Sequence, residues 1–154
     1  MKILRVSESD LTEILSLQRL AYHENAERYN DFKIPPLTQT LEELREESKS
    51  SVIIKVVHEA KIVGSVRAIK KGINCYIGKL IVHPEYQNKG IGRMLIAEIE
   101  KIFEGSRYEL FTGHLDEKNL SFYEKLGYKR FKEEKINDAL RFVYFEKGGK
   151  CNVI

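Results

Sequence analysis

The hydrophobic pattern changes period several times along the chain, and each change marks an element. Ile3 to Val6 reads as a short strand. Ser7 then stands three residues before Asp10, a capping-box start, and Leu11, Ile14, Leu15, Gln18, Ala21 and Tyr22 recur at helical spacing. This predicts a first helix from about residue 8 to about residue 23, with the polar run to Tyr29 as an extension. Ile34-Pro35-Pro36-Leu37 is expected to be a non-helical loop, because each proline removes a donor and restricts its predecessor. Thr40 with Glu43 caps a short second helix, in which Leu41 and Leu44 face inward.

From Ser51 the period becomes that of strands: Val52 to His58, Ile62 to Lys70 and Cys75 to Val82, joined by tight turns and therefore antiparallel neighbours. Gly90-Ile91-Gly92 opens a strong helix with Ile91, Leu95, Ile99 and Ile102 on one face. Tyr108 to Gly113 is a strand, and a fourth helix runs from about Glu117 to Leu126, ended by Gly127 as a left-handed cap. A terminal hairpin follows, Tyr128 to Ile136 and Leu140 to Glu146, with Leu140, Phe142 and Tyr144 on one face. Only the strand–helix–strand unit from Cys75 to Gly113 demands a parallel pair. The expected fold is thus α+β, a mixed and mostly antiparallel sheet of about seven strands with four helices.

Length and charge narrow the class. The 154 residues are expected to form one domain over residues 1–147, with a short tail over 148–154. Hydrophobic residues make up 42% and charged residues 32%, enough for an ordinary core. The 26 Lys and Arg against 23 Asp and Glu leave +3 with the signs interspersed, so no nucleic-acid partner is expected. Lys55 interrupts the strongest apolar stretch and the N-terminus lacks a long apolar leader, so neither membrane nor secretion is expected. Cys75 and Cys151 show no ligand or redox spacing and read as free thiols of a cytoplasmic protein; no metal is expected.

The chemistry concentrates in Leu80-Ile81-Val82-His83-Pro84-Glu85-Tyr86-Gln87-Asn88-Lys89-Gly90-Ile91-Gly92-Arg93. A strand that passes through two glycines into a helix leaves free N–H groups at a helix N-terminus, an anion site, and Lys89 and Arg93 add charge beside it. The pattern lacks both the GxGxxG and the P-loop fingerprints. Gln87 to Gly92 does match the Q/R-x-x-G-x-G/A motif of the GNAT acetyltransferase superfamily. Asn119 and Tyr123, four apart on the fourth helix, match its second motif. The chain resembles that family from residue 3 to about 147.

The resemblance implies a sheet splayed between the fourth and fifth strands, where the pantetheine arm of acetyl-CoA would enter. Leu80, Ile81 and Val82 would offer it main-chain hydrogen bonds, and Gln87, Asn88, Lys89, Gly90, Ile91, Gly92 and Arg93 would hold the pyrophosphate. Asn119 would contact pantetheine, and Tyr123 would sit near the sulfur. The implied reaction is direct attack of a primary amine, on a small molecule or a peptide, through a tetrahedral intermediate. Tyr123 is the candidate general acid, since a tyrosine is protonated at neutral pH and can donate to a departing thiolate. A lysine-like acceptor must shed its proton, which costs about 4.6 kcal/mol at pH 7 from a pKa near 10.4. Glu24 and His114 are candidate bases, beside a water chain. Tyr22, Glu24, Tyr29 and Phe32 are candidate acceptor contacts, and Glu24, Glu27 and Asp31 favour a cationic acceptor. His83 is expected to order the His-Pro turn. A non-catalytic acyl-CoA sensor and a longer acyl donor remain as alternatives, and both monomer and homodimer stay open.

Overall fold

The computed structural model describes residues 1–149. The elements in chain order are β1 (Lys2–Arg5), α1 (Leu11–Tyr29), α2 (Pro35–Thr38), α3 (Leu41–Ser48), β2 (Val52–His58), β3 (Lys61–Lys71), β4 (Asn74–Val82), α4 (Ile91–Ile102), β5 (Arg107–Gly113), α5 (Glu117–Lys125), β6 (Lys129–Lys135) and β7 (Arg141–Gly148). Short 3-10 turns cover Glu8–Asp10 and Pro84–Tyr86. The seven strands form one sheet in the order β1-β2-β3-β4-β5-β7-β6, antiparallel except for β4 with β5. This is the expected mixed α+β architecture. The last strand runs through Gly148, one residue into the expected tail; the rest of that tail from 150 onward, with Cys151, lies outside the described residues.

One helical prediction needs correction. Pro35–Thr38 forms one helical turn where a non-helical loop was expected, because the prolines occupy the first two positions, whose N–H groups have no helical partner to lose. The first helix takes in the polar extension to Tyr29, where Ala26 is fully buried and Glu24 pairs with Arg28 one turn on. Asn30, at φ 51, stops it as a left-handed cap. The two predicted capping boxes form: Ser7 with Asp10, and Thr40 with Glu43.

The sheet is covered on both faces. Val56, Val66, Ile77, Tyr108, Leu110, Val143 and Phe145 pack against Leu95 and Ile99 of α4 and Leu120 and Tyr123 of α5. Ile53, Ile62 and Ile81 face Leu11, Ile14 and Leu15 of α1 and Leu44 of α3. Beneath these three N-terminal helices lies a buried polar knot. The Arg67 guanidinium donates to Glu47 at 3.0 Å, to Gln39 at 3.3 Å and to Gln18. Gln18 Nε2 donates in turn to the Pro36 carbonyl at 2.8 Å. One strand thereby fixes α1, α2 and α3 at once, and each polar group has the partner that burial requires.

Two features of β4 shape the site. It pairs with β5 only over Asn74–Tyr76 and Arg107–Glu109, after which the strands part. Opposite β3 it is bulged: Ser65 faces Ile81 and Arg67 faces Gly78, so Lys79 and Leu80 oppose a single residue, with Lys79 at φ 52.

Helix α4 approaches the sheet most closely at Gly64, where a Cβ would stand 2.6 Å from Ile91 Cγ2 and 3.3 Å from the Ile81 carbonyl. Gly64→Ala is therefore expected to lower stability by about 1–3 kcal/mol through overpacking, read by denaturant unfolding. Stability equal to the parent would mean that α4 shifts freely.

Candidate active site

The turn from β4 into α4 is built from left-handed residues, Asn88 at φ 63 and Gly90 at φ 82. His83 orders its start, as expected, by accepting the Glu85 N–H at Nδ1 at 3.1 Å. The first α4 hydrogen bond is Met94 N–H to the Gly90 carbonyl, so the N–H groups of Gly90, Ile91, Gly92 and Arg93 have no protein acceptor. They converge on the positive end of a twelve-residue helix. Lys89 and Arg93 flank this turn in sequence. A third cation, Lys118, reaches it from α5, its ammonium 3.2 Å from Gln87 Oε1.

Beyond Tyr76 the β5-facing edge of β4, including Leu80, Ile81 and Val82, has no strand partner. Tyr123, on α5, belongs to the core on the α4 and α5 face of the sheet. Its ring is 5% exposed and packs on Phe122, Phe145 and Tyr128 at centroid distances of 5.2, 5.8 and 6.1 Å. The ring is thus part of the packed core. Among the described residues the hydroxyl has no protein acceptor, and the one sealed, unpartnered side-chain atom is Ser106 Oγ, so the Tyr123 hydroxyl is not sealed from solvent. Burial pushes its pKa far up, with Tyr22 and Asp116 adding to the rise.

Asn119 is held from below. Asp116 caps α5 by accepting the Asn119 N–H at 3.1 Å, and Asn119 Nδ2 donates to the same carboxylate at 2.8 Å. This leaves Asn119 Oδ1 as a free acceptor. Arg28 of α1 stands 3.7 Å from Asp116 and so ties the first helix to the fifth.

The acceptor-side candidates separate. Tyr22 is half-buried, its pKa pushed up to about 12 by burial, and it lies within electrostatic range of Arg67, Glu47 and Asp116. Tyr29 uses its hydroxyl to accept the Leu115 N–H at 2.9 Å, anchoring the end of α1 to the end of β5. Glu24 points outward, 69% exposed and 3.3 Å from Arg28, and Phe32 is exposed beside His23. His114 accepts the Arg141 N–H at Nδ1 at 2.9 Å, which occupies the lone pair a neutral imidazole would need as a base.

A family profile described as an acetyltransferase (GNAT) domain matches residues 21–148, most of the chain. The chain belongs to the GNAT acetyltransferase family. YyaT of Bacillus subtilis (strain 168), a protein described as uncharacterized, is 26% identical over 159 aligned residues and 99% of each chain. Among solved structures, an aminoglycoside 6'-N-acetyltransferase complexed with coenzyme A superposes with TM-score 0.78 at 18% identity, covering 100% of both chains. The PaiA N-acetyltransferase of Thermoplasma acidophilum in complex with coenzyme A gives 0.71 at 20%, over 93% of this chain and 96% of that one.

As a GNAT acetyltransferase the protein is an acyltransferase acting on amine acceptors, and its gap suits coenzyme A. A diphosphate needs convergent donors, which the Gly90 turn supplies, and an amide-bearing arm needs a free strand edge, which β4 supplies beyond Tyr76. Lys118, Asp116 and Arg28 escaped the sequence reading. The Asp116-x-x-Asn119 cap was the one local signal available; the other two act across elements distant in sequence.

A Cβ on Gly90 would meet nothing within 4 Å, so Gly90→Ala strains the left-handed backbone by about 1–2 kcal/mol without a clash. Placed at the donors, the methyl is expected to weaken coenzyme A binding about tenfold or more, measured by calorimetry. Unaltered affinity would remove this turn from the diphosphate site.

Proposed function

We propose that the protein transfers the acetyl group of acetyl-CoA directly to a primary amine, with Tyr123 as general acid. The observation that carries the reading is the Tyr123 hydroxyl, set in a buried ring yet without a protein acceptor among the described residues and not sealed from solvent, beside a β4 edge that parts from β5. Bound acetyl-CoA supplies an activated thioester, and the remaining requirements fall on the chain.

The free N–H groups of Gly90 to Arg93, with Lys89, Arg93 and Lys118, hold the diphosphate, while Gln87 positions Lys118. The edge of Leu80, Ile81 and Val82 binds the extended arm, and one of its N–H groups faces the charge that develops on the acetyl oxygen. Asn119 offers its free Oδ1 to an amide N–H of the same arm. Tyr123 keeps its proton at Oη until a thiolate departs, and burial guarantees that the proton is there. Tyr22, across the gap on α1, lines the acceptor side. As the C–N bond forms and the C–S bond breaks, the amine proton leaves through water toward the outer face of α1, where Glu24 stands. Tyr123 gives its proton to the sulfur and regains one from solvent.

Thiol release from acetyl-CoA across a panel of amines tests the activity; folded protein that binds coenzyme A yet acetylates no amine would contradict it. Tyr123→Phe is expected to lower kcat about 10²-fold or more while coenzyme A affinity stays within threefold. Because its folded pKa is raised, Tyr123 stays protonated beyond the ordinary value of 10.0. No alkaline loss of kcat from this group is expected at or below that pH, and a falling limb near pH 8 that vanishes in Tyr123→Phe would refute the assignment.

A further inference from the structure

The bulge in β4 gives one lysine an unusual place. Ile77 packs into the core under α4, whereas Gly78 stands opposite Arg67 on the other face of the sheet. Lys79, turned by its left-handed backbone at φ 52, also belongs to that face, within electrostatic range of both Arg67 and Glu47. This is the α1 and α3 side, from which an acceptor must approach if the thioester enters along the β4 edge. Lys79 is half-buried, and among the described residues no carboxylate lies within 4.0 Å of its ammonium and no hydrogen bond holds it. The nearby acid, Glu47, is already taken by Arg67 at 3.0 Å. Burial lowers the Lys79 pKa, Glu47 opposes this and Arg67 adds to it. A desolvated cation without a counter-ion, on a backbone that lysine adopts only at a cost, is an arrangement that awaits an anion.

The opposite wall of the opening is aromatic. Tyr76 and Glu109 are paired directly and share a face, so Phe111, two residues along β5, looks to the same side as Lys79. Phe111 is 47% exposed, and the rings of Phe142 and Tyr144 lie 4.5 and 5.3 Å from it. The two acids toward the end of the first helix, Glu24 and Glu27, are turned to solvent. Glu24 is paired with Arg28, and Glu27 is 63% exposed beside His23 at 3.8 Å.

We propose that the acceptor amine carries an anionic group, a carboxylate or a phosphate, which Lys79 receives while the amine points into the gap between β4 and β5. The proposal rests on the acetyltransferase reading above and adds the class of its acceptor.

The test compares matched pairs: an aromatic amino acid with its amide, and an amino sugar with its 6-phosphate, alongside an aliphatic diamine. The parent enzyme is expected to favour the anionic member by about tenfold or more in kcat/KM in at least one pair, and that pair identifies the group. Lys79→Met and Lys79→Gln are expected to collapse the ratio toward one, and Lys79→Arg to keep it. Dissociation constants of the same acceptors, measured on protein saturated with coenzyme A, should follow the same order without any need for turnover. A parent that prefers the diamine or the neutral members, or a Lys79→Met or Lys79→Gln protein that loses both members of a pair equally, overturns the proposal. Failure of the parent to bind coenzyme A overturns the acetyltransferase reading itself. Coenzyme A binding combined with indifference to the anionic group overturns this proposal alone.

Discussion

Two strands that are joined at one end and held apart at the other set the conditions for everything else in this protein. β4 and β5 pair over three residues, and the joint is clamped by Arg107, which donates to Asn74 at 3.1 Å, to Glu109 at 2.9 Å and to Glu146 at 2.9 Å. Burial by itself would lower the Arg107 pKa, and the two carboxylates reverse this and raise it. The Arg107 N–H adds a further bond to the Ile73 carbonyl at 2.8 Å. At the other end each strand is committed elsewhere. β4 is bulged against β3 and leads into α4, which Gly64 draws close, while β5 ends under the Tyr29 hydroxyl. A sheet normally satisfies both edges of an inner strand. Here the stretch of β4 beyond Tyr76 is left unpaired with β5, which in the proposed function makes it the binding surface for an extended ligand arm.

The charges around this gap follow the same logic. The end proposed for the diphosphate carries groups that are cheap to leave exposed: backbone N–H groups in the first turn of α4, with flexible cations beside them. The interior relies on groups that burial holds in one protonation state. Burial pushes the pKa values of Tyr123 and Tyr22 both upward, and the two phenols sit on helices that cover opposite faces of the sheet. Asp116 and Arg28 bridge those sides, coupling the helix that carries Tyr22 to the helix that carries Tyr123. The buried knot of Gln18, Gln39, Glu47 and Arg67 makes the three N-terminal helices one body, so the acceptor side is presented on a rigid scaffold.

Much of this was legible in the residue order. The period-two runs of β2, β3 and β4, the strong apolar stripe of α4 and the capping boxes at Ser7 and Thr40 are local signals, and the structure repeats them. The prolines misled because their effect depends on position: they forbid a helix interior but suit its first turn, and Pro35 and Pro36 occupy that turn. The polar run after Tyr22 could be read only as an extension of α1, and the complete burial of Ala26 is what fixes it there. His114 looked available as a base, but its Nδ1 is engaged by the N–H of Arg141, 27 residues away.

By itself the sequence determined the elements, their order and the glycine turn, since helix and strand periods, caps and a left-handed glycine each depend on neighbours within a few residues. It also marked Asn119 and Tyr123, through their match to the second motif of the family the chain resembles. Only the tertiary structure decided which charges lose their water together. Arg67 meets Gln18 across 49 residues and Glu47 across 20, and that pairing leaves Lys79 without an acid of its own. Desolvation and pairing are properties of a place in the fold, where strands and helices from distant parts of the chain exclude solvent. The run of residues around Lys79 carries no trace of them.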